Sequence, residues 1–215
     1  MNLPPWLAPL AEAAGALEPG ELSMFLPPED GSGRESAVLI AFGEVDGEPS
    51  LLLIQRAADM RNHAGQVAFP GGAVDPTDQD NVSAALREAT EEVGLDPASV
   101  QVIIELPSIF IPVTGFVVAP VLAWWHSPHP VSPVDPVEVA RAATVSIAAL
   151  AEPANRFRVP HPTGWLGPGF EVDGLFIWGF TAVLLDRLLD LGGWSRPWDT
   201  GQERALPPHL IGRRS

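Results

Sequence analysis

Lysine and cysteine are both missing from this chain of 215 residues, and all 12 of its basic residues are arginine. Without lysine there is no Schiff-base amine and no P-loop lysine. Without cysteine there is no disulfide, no thiolate nucleophile and no thiolate-bound zinc or iron–sulfur centre. Positive charge is scarce altogether: 27 acidic residues against 12 basic give a formal −15, which speaks against an electrostatic grip on nucleic acid or an anionic membrane. If the substrate is an anion, something else must supply the compensating charge. The first basic residue is Arg34, so residues 1–17 lack the charged n-region of a signal peptide, and a cytoplasmic location is expected. An unbroken apolar span is also missing. Residues 106–125 carry no charge, but Pro107, Pro112, Gly115 and Pro120 interrupt them, which points to buried strands rather than a membrane helix.

What is present suits a folded core, with 46% hydrophobic and 18% charged residues and a length that favours one domain with extensions. Residues 36–42 and 50–55 are apolar runs flanking a turn-like segment and read as two neighbouring strands. A short third strand is expected at 66–69, stopped by Pro70-Gly71-Gly72. From 81 to 93, Val82, Ala85, Leu86, Ala89 and Val93 recur at helical spacing, with Asp78, Asp80 or Asn81 to cap the start and Gly94 to end it. Further strands are expected at 100–105, 115–124 and 170–179, and further helices at 6–16 and 180–191. Residues 127–136 and the tail from 194 read as loop. The interleaving of both kinds of element predicts an α/β (α+β) layered domain over 31–193, with an N-terminal helical extension at 1–30 and a C-terminal tail at 194–215.

The helix at 81–93 carries the chemistry. Glu88 has Glu91 and Glu92 as its neighbours one turn on, so three carboxylates gather within about 5–6 Å between Cβ atoms. A solvated acidic face is the ordinary explanation of such a cluster. Against it stand the three-fold convergence, the preceding Gly71-Gly72, and the acids Asp75 and Asp78. Hard oxygen ligands favour Mg²⁺ or Mn²⁺ over zinc, with substrate phosphate completing the shell. Arg87 can reach Glu91 and fix its rotamer.

These residues resemble a known family. Gly72 followed by Arg87-Glu88-Ala89-Thr90-Glu91-Glu92-Val93-Gly94-Leu95 is similar to the Nudix box, the strand–loop–helix motif of hydrolases that cut a nucleoside diphosphate linked to another moiety. Asp78 stands where that box usually has Glu, and one extra residue separates it from Arg87. Upstream, Leu52-Leu53-Ile54-Gln55-Arg56-Ala57, Arg61 and Gly65-Gln66-Val67-Ala68-Phe69-Pro70-Gly71-Gly72 resemble the motif of the coenzyme A pyrophosphatase branch, with Ile54 and Ala57 in place of Thr and Ser.

The resemblance implies a Nudix-type α/β/α sandwich with a mixed β-sheet. It implies a metal-dependent hydrolase that cleaves coenzyme A or its derivatives to 3′,5′-ADP and 4′-phosphopantetheine or its acyl form, with Mg²⁺ or Mn²⁺ as cofactor. Glu88 and Glu92 become metal ligands, and Glu91 and Arg87 the catalytic group, with Glu91 either a third ligand or the base. Arg56, Arg61, His63 and Gly72 would contact substrate, since the planar fork of Arg matches phosphate. Glu138 is a further candidate base. His126, His129, His161 and His209 show no ligand spacing, and Phe69 reads as core. The partner is a small-molecule diphosphate, with neither nucleic acid nor membrane, and a homodimer is compatible by analogy. The alternatives are a Nudix hydrolase of ADP-ribose or another nucleoside diphosphate derivative, a non-catalytic nucleotide-binding Nudix module, or an acidic cation-binding structural protein.

Overall fold

The computed structural model describes residues 3–23, 25–60, 63–161 and 164–210. In chain order its elements are α1 (Ala8–Gly15), β1 (Arg34–Val45), β2 (Glu48–Arg56), β3 (Val67–Ala68), β4 (Gly71–Ala73), α2 (Asn81–Val93), β5 (Val100–Glu105), β6 (Ile109–Ile111), β7 (Phe116–Trp125), β8 (Val139–Ser146), α3 (Ile147–Ala151), β9 (Arg156–Pro160), β10 (Leu166–Val172), β11 (Leu175–Ile177) and α4 (Gly179–Leu191). Strands β1 to β8 form one mixed sheet, in which β1 and β7 run parallel and every other pair is antiparallel. Strands β9 to β11 make a small antiparallel sheet.

Strand alternation divides the core into two layers. Ala37, Leu39 and Ala41 of β1, Leu52 and Ile54 of β2, and Ala119, Val121 and Ala123 of β7 face α2. Ile40, Phe42, Leu51, Leu53 and Leu122 face the other way, onto Leu7 and Leu10 around α1 and onto Leu184, Leu185 and Leu188 of α4. The layer under α2 is built largely of small residues on both sides, Ala37, Ala41, Ala119 and Ala123 against Ala84, Ala85 and Ala89. Small side chains let the helix approach the sheet closely, and that sets the depth of the acids it carries.

β1 pairs with β2 only at its C-terminal end, from Phe42↔Leu51 to Val45↔Glu48. Farther back, β4 takes the place of β2, with Ala37↔Gly72 and Val38↔Gly71 in register. Between them the Leu39 N–H donates to the carbonyl of Pro70 at 2.8 Å. The short loop before Gly72 is thereby stitched into the sheet under α2.

Several expectations are corrected. The stretch 170–179 is not one strand: β10 and β11 fold back on each other across Asp173 and Gly174, both at positive φ (53° and 76°). β8 and β9 lie in segments that carry no strand expectation. The tail from 194 is irregular but packed. Trp194 meets Trp6 and Phe42, Trp198 lies against Arg156, and Leu206 and Leu210 are buried. No described helix is long and apolar enough to cross a membrane; the uncharged run at 106–125 forms β6 and β7.

Candidate active site

α2 forms where its periodicity predicts. The Asp80 carboxylate accepts from the Ser83 N–H at 2.7 Å, and Gly94 closes the helix at φ 70°, in the left-handed region. Its inner face buries Ala85, Ala89 and Val93, and Glu92 goes in with them, only 5% exposed. The Gly71 N–H donates to Glu92 Oε2 at 2.9 Å, and Arg56 Nη1 lies 3.9 Å from Glu92 Oε1. Glu88 lies one turn earlier with its carboxylate against Gly72. A Cβ there would stand 2.5 to 2.7 Å from the Glu88 carboxyl atoms, so only glycine leaves them room.

The three acids differ in depth. The Glu91 side chain is 61% exposed and is held at its Oε2 by Arg87 Nη1 at 3.0 Å. The same nitrogen donates to Glu88 Oε1 at 2.9 Å. The other side of the guanidinium binds Asp78 through Nε and Nη2 at 3.0 and 2.9 Å, and reaches the Ala73 carbonyl at 3.2 Å. Arg87 is thus a clamp between the loop after β4 and two of the acids. Among the described residues, no three His, Asp or Glu side chains are grouped as a ready-made metal cage.

The electrostatics follow from this packing. Burial pushes the Glu92 carboxyl up to about 7, against the pull of the Gly71 N–H and Arg56. Burial also raises Glu88, opposed by Arg87 and reinforced by Glu91 and Glu138. Asp78 is lowered by its hydrogen bonds from Arg87. Glu138 raises both Glu88 and Glu92, so a fourth carboxylate shares the field. It is brought there by the loop 131–138, which bonds the end of α2 through Ser132 N–H to Val93 O and Val134 N–H to Glu92 O, while the Glu138 carbonyl accepts from Ala57 N–H.

Of the residues expected to contact substrate, Arg56 and Gly72 border the acids. The Arg56 Nε is buried with no hydrogen-bond partner among the described residues. His63 sits on the loop after β2 at φ 57° with Nδ1 2.9 Å from Gln66 Oε1, and its partner is that side chain rather than an acid of α2. Arg61 lies outside the described residues. Phe69 is core, 2% exposed. Sequence reasoning missed Asp78 as the anchor of Arg87, because nine residues correspond to no helical or strand spacing. It also missed the Gly71 N–H as a donor to Glu92.

A model of the NUDIX domain matches residues 33–161. The chain is 42% identical over 165 residues to NudL of Salmonella paratyphi B, described as an uncharacterized Nudix hydrolase, over 72% of this chain and 81% of that one; NudL of Salmonella newport gives the same figures. Among solved structures, the Nudix hydrolase RenU of M. smegmatis superposes with a TM-score of 0.50 at 21% identity, over 74% of this chain and 86% of that one, a likeness of fold.

Proposed function

The chain belongs to the Nudix hydrolase family, and on that premise we propose that it hydrolyses the diphosphate of coenzyme A or its derivatives to 3′,5′-ADP and 4′-phosphopantetheine in the presence of Mg²⁺ or Mn²⁺. Nudix hydrolases act on pyrophosphate bonds and use divalent metal ions. The choice of coenzyme A is supported by the upstream motif from Leu52 to Gly72, whose two ends are the strand carrying Arg56 and the short strand carrying Gly71 and Gly72.

One observation carries the reading: a buried carboxylate, Glu92, and a partly buried one, Glu88, stand against Gly71–Gly72 beside a guanidinium whose Nε has no partner among the described residues. The donor set fits a hard divalent cation, being all carboxylate, with both acids driven up in pKa by burial and by neighbouring negative charge. Glu88 and Glu92 would hold the ion. Substrate phosphate and water would complete its shell, as is usual for Mg²⁺. When bound, the cation neutralises the diphosphate and acidifies a water.

The chain's own residues do the rest. Arg56 takes a phosphate oxygen through its guanidinium. Glu91 accepts the proton of the attacking water at its carboxylate, and Arg87 is a positioning residue that fixes Glu91 and Glu88 against Asp78. The water oxygen bonds to one phosphorus, the bridging P–O bond breaks, and the other phosphate leaves with its electrons. Arg61 and His63 contribute to the substrate loop on this reading.

The test is mass-spectrometric product analysis of coenzyme A, ADP-ribose and NADH, each with Mg²⁺, Mn²⁺ or EDTA. Metal-dependent 4′-phosphopantetheine from coenzyme A is the expected result. Cleavage of ADP-ribose or NADH alone would keep the hydrolase and overturn the substrate, and cleavage of none would point to a nucleotide-binding module.

A further inference from the structure

Two valines stand in water on the loop that brings Glu138 to the acids: Val134 is 59% exposed and Val137 is 76% exposed. The loop is not slack. The Ser132 and Val134 N–H groups donate to the Val93 and Glu92 carbonyls at 3.2 and 3.0 Å. The Glu138 and Val139 N–H groups both donate to the Asp135 carbonyl, at 3.1 and 3.0 Å, and the Val137 N–H donates to Asp135 Oδ1 at 2.9 Å. The Ala57 N–H then holds the Glu138 carbonyl at 2.8 Å. Residues 135–139 are therefore one closed turn, with α2 bonded to the loop before it and the end of β2 bonded to the turn itself.

Tight turns favour Gly, Pro, Asn, Asp and Ser. Asp135 and Pro136 obey that preference and Val137 does not. Its branched side chain also packs against little, so the fold gains almost nothing from it. A residue that departs from a local rule without a packing return is a mark of function. Its neighbour Glu138 shares the field of Glu88 and Glu92. Val134 stands on the other side of the same mouth: a Cβ added at Gly94 would lie 3.7 Å from Val134 Cγ2, and Gly94 is one turn on from Glu91. Single exposed apolar residues are ordinary, but these two bracket the acids, one at the end of α2 and one beside Glu138.

An apolar border offers nothing to a phosphate or a cation, but it can meet whatever is bonded next to the phosphate. We propose that Val134 and Val137 are specificity-determining residues that receive the two methyl groups of the pantetheine arm of coenzyme A, an inference that rests on the coenzyme A reading above. The chemistry selects that group. On the pantetheine side of the diphosphate, an oxygen and a methylene lead to a quaternary carbon that carries both methyls, three bonds or roughly 4 Å from phosphorus. In ADP-ribose and in dinucleotides the same reach ends at a ribose carbon, flanked by the ring oxygen and a hydroxyl-bearing carbon. Those oxygens would lose hydrogen bonds to water against valine, whereas methyl groups lose none. The two side chains thus favour one diphosphate over another without touching the reacting atoms.

The experiment measures kcat/KM with Mg²⁺ for coenzyme A and for an analogue in which both methyls are replaced by hydrogen. It uses the full chain, Val134→Thr, Val137→Thr and the double variant. Each buried methyl is worth about a three- to fourfold gain in affinity, so the wild type should prefer coenzyme A by about 10-fold. Threonine keeps the branched shape and adds a hydroxyl, at positions exposed enough that the melt should not move. The ratio should fall to about threefold in each single variant and toward one in the double. The same ratio is read without turnover from the binding of 4′-phosphopantetheine and its counterpart lacking the methyls. A wild-type ratio near one, with coenzyme A cleaved, would overturn the methyl site and leave the coenzyme A reading standing. A ratio of about 10 that the variants leave unchanged, even if they slow both compounds through Glu138, would overturn the role of the valines. No cleavage of either compound would overturn the coenzyme A reading and this inference with it.

Discussion

Gly72→Ala separates the stability of the fold from the placement of a proposed ligand. The new Cβ would stand 2.5 Å from the Glu88 carboxyl carbon and 2.6 and 2.7 Å from its oxygens. Gly72 does not use the left-handed region, so alanine strains no dihedral there, and the obstacle is the end of a side chain rather than backbone. Glu88 therefore yields, by about 1 Å if ordinary van der Waals contact is restored. That movement stretches its 2.9 Å bond from Arg87. The stability loss is about 1 kcal/mol, the scale of one hydrogen bond, or a fall of about 2–4 °C in Tm for a chain of this length. A 1 Å misplacement of a ligand can cost about 10²-fold in rate. We expect kcat/KM for coenzyme A to fall by about that factor, with a raised Mg²⁺ requirement, while a thermal melt moves little. The companion Gly71→Ala behaves oppositely: its Cβ would collide with the Ala37 carbonyl oxygen and the Val38 Cα, which are backbone and cannot move aside, at φ 155°. It should lose several kcal/mol or fail to fold. A Gly72→Ala protein with a normal melt and a rate within about threefold of wild type would refute the assignment of Glu88 as a ligand.

Glu91→Gln should lose at least about two orders of magnitude in kcat with its melt unchanged, because the side chain is exposed and supports no core; near-wild-type turnover there, with loss in Glu138→Gln, would transfer the base to Glu138. Arg87→Lys keeps the charge but cannot span Asp78, Glu88 and Glu91 at once, so a fall of about 10-fold or more in kcat is expected, measured with saturating substrate. Glu92 predicts a pH dependence of stability in EDTA. Its folded pKa of about 7 exceeds the ordinary 4.5, so it costs nothing below about pH 4.5 and destabilises increasingly up to pH 7. At 1.36 kcal/mol per unit that is about 3 kcal/mol. Urea titrations of wild type should lose this much relative to Glu92→Gln between those limits, and parallel curves would contradict it.

What the sequence disclosed was mostly local. α2 keeps its expected bounds because its period, its Asp80 cap and Gly94 all lie within one turn of the helix they define. The hairpin of β10 and β11 was legible in principle, since Asp173-Gly174 is a turn signal, but the apolar runs on either side merge into one expected strand. β8 is different in kind. Its sequence, VARAATVS, has weak strand propensity, and it is a strand because it pairs along β2 from Ser50↔Ser146 to Arg56↔Val139. The site divides in the same way. Helical spacing brings Glu88, Glu91 and Glu92 together, but only the Gly71–Gly72 strand, placed by β1 and by the bond of Leu39 to Pro70, makes Glu92 deep and leaves Glu91 in water. The reach of Arg87 to Asp78 and the arrival of Glu138 through the loop 131–138 likewise depend on chain segments far apart in spacing.

The scarcity of positive charge then acquires a mechanistic meaning. Most described arginines are already committed: Arg34 to the Thr114 carbonyl, Arg87 to its acids, Arg141 to the Asp173 carbonyl, Arg156 to Asp186, Arg158 to the Leu166 carbonyl, Arg196 to Glu152 and Arg204 to Glu171. Arg56 is the one that borders the acids with no side-chain hydrogen bond among the described residues. A coenzyme A molecule brings about four negative charges on its phosphates, into a site that holds Glu88, Glu91, Glu92 and Glu138 on a chain of net −15. One guanidinium cannot balance that. On the proposed reading Glu88 and Glu92 would hold a divalent cation that supplies the missing positive charge to the phosphates. Metal and substrate must therefore raise each other's affinity by the same factor, as linkage requires.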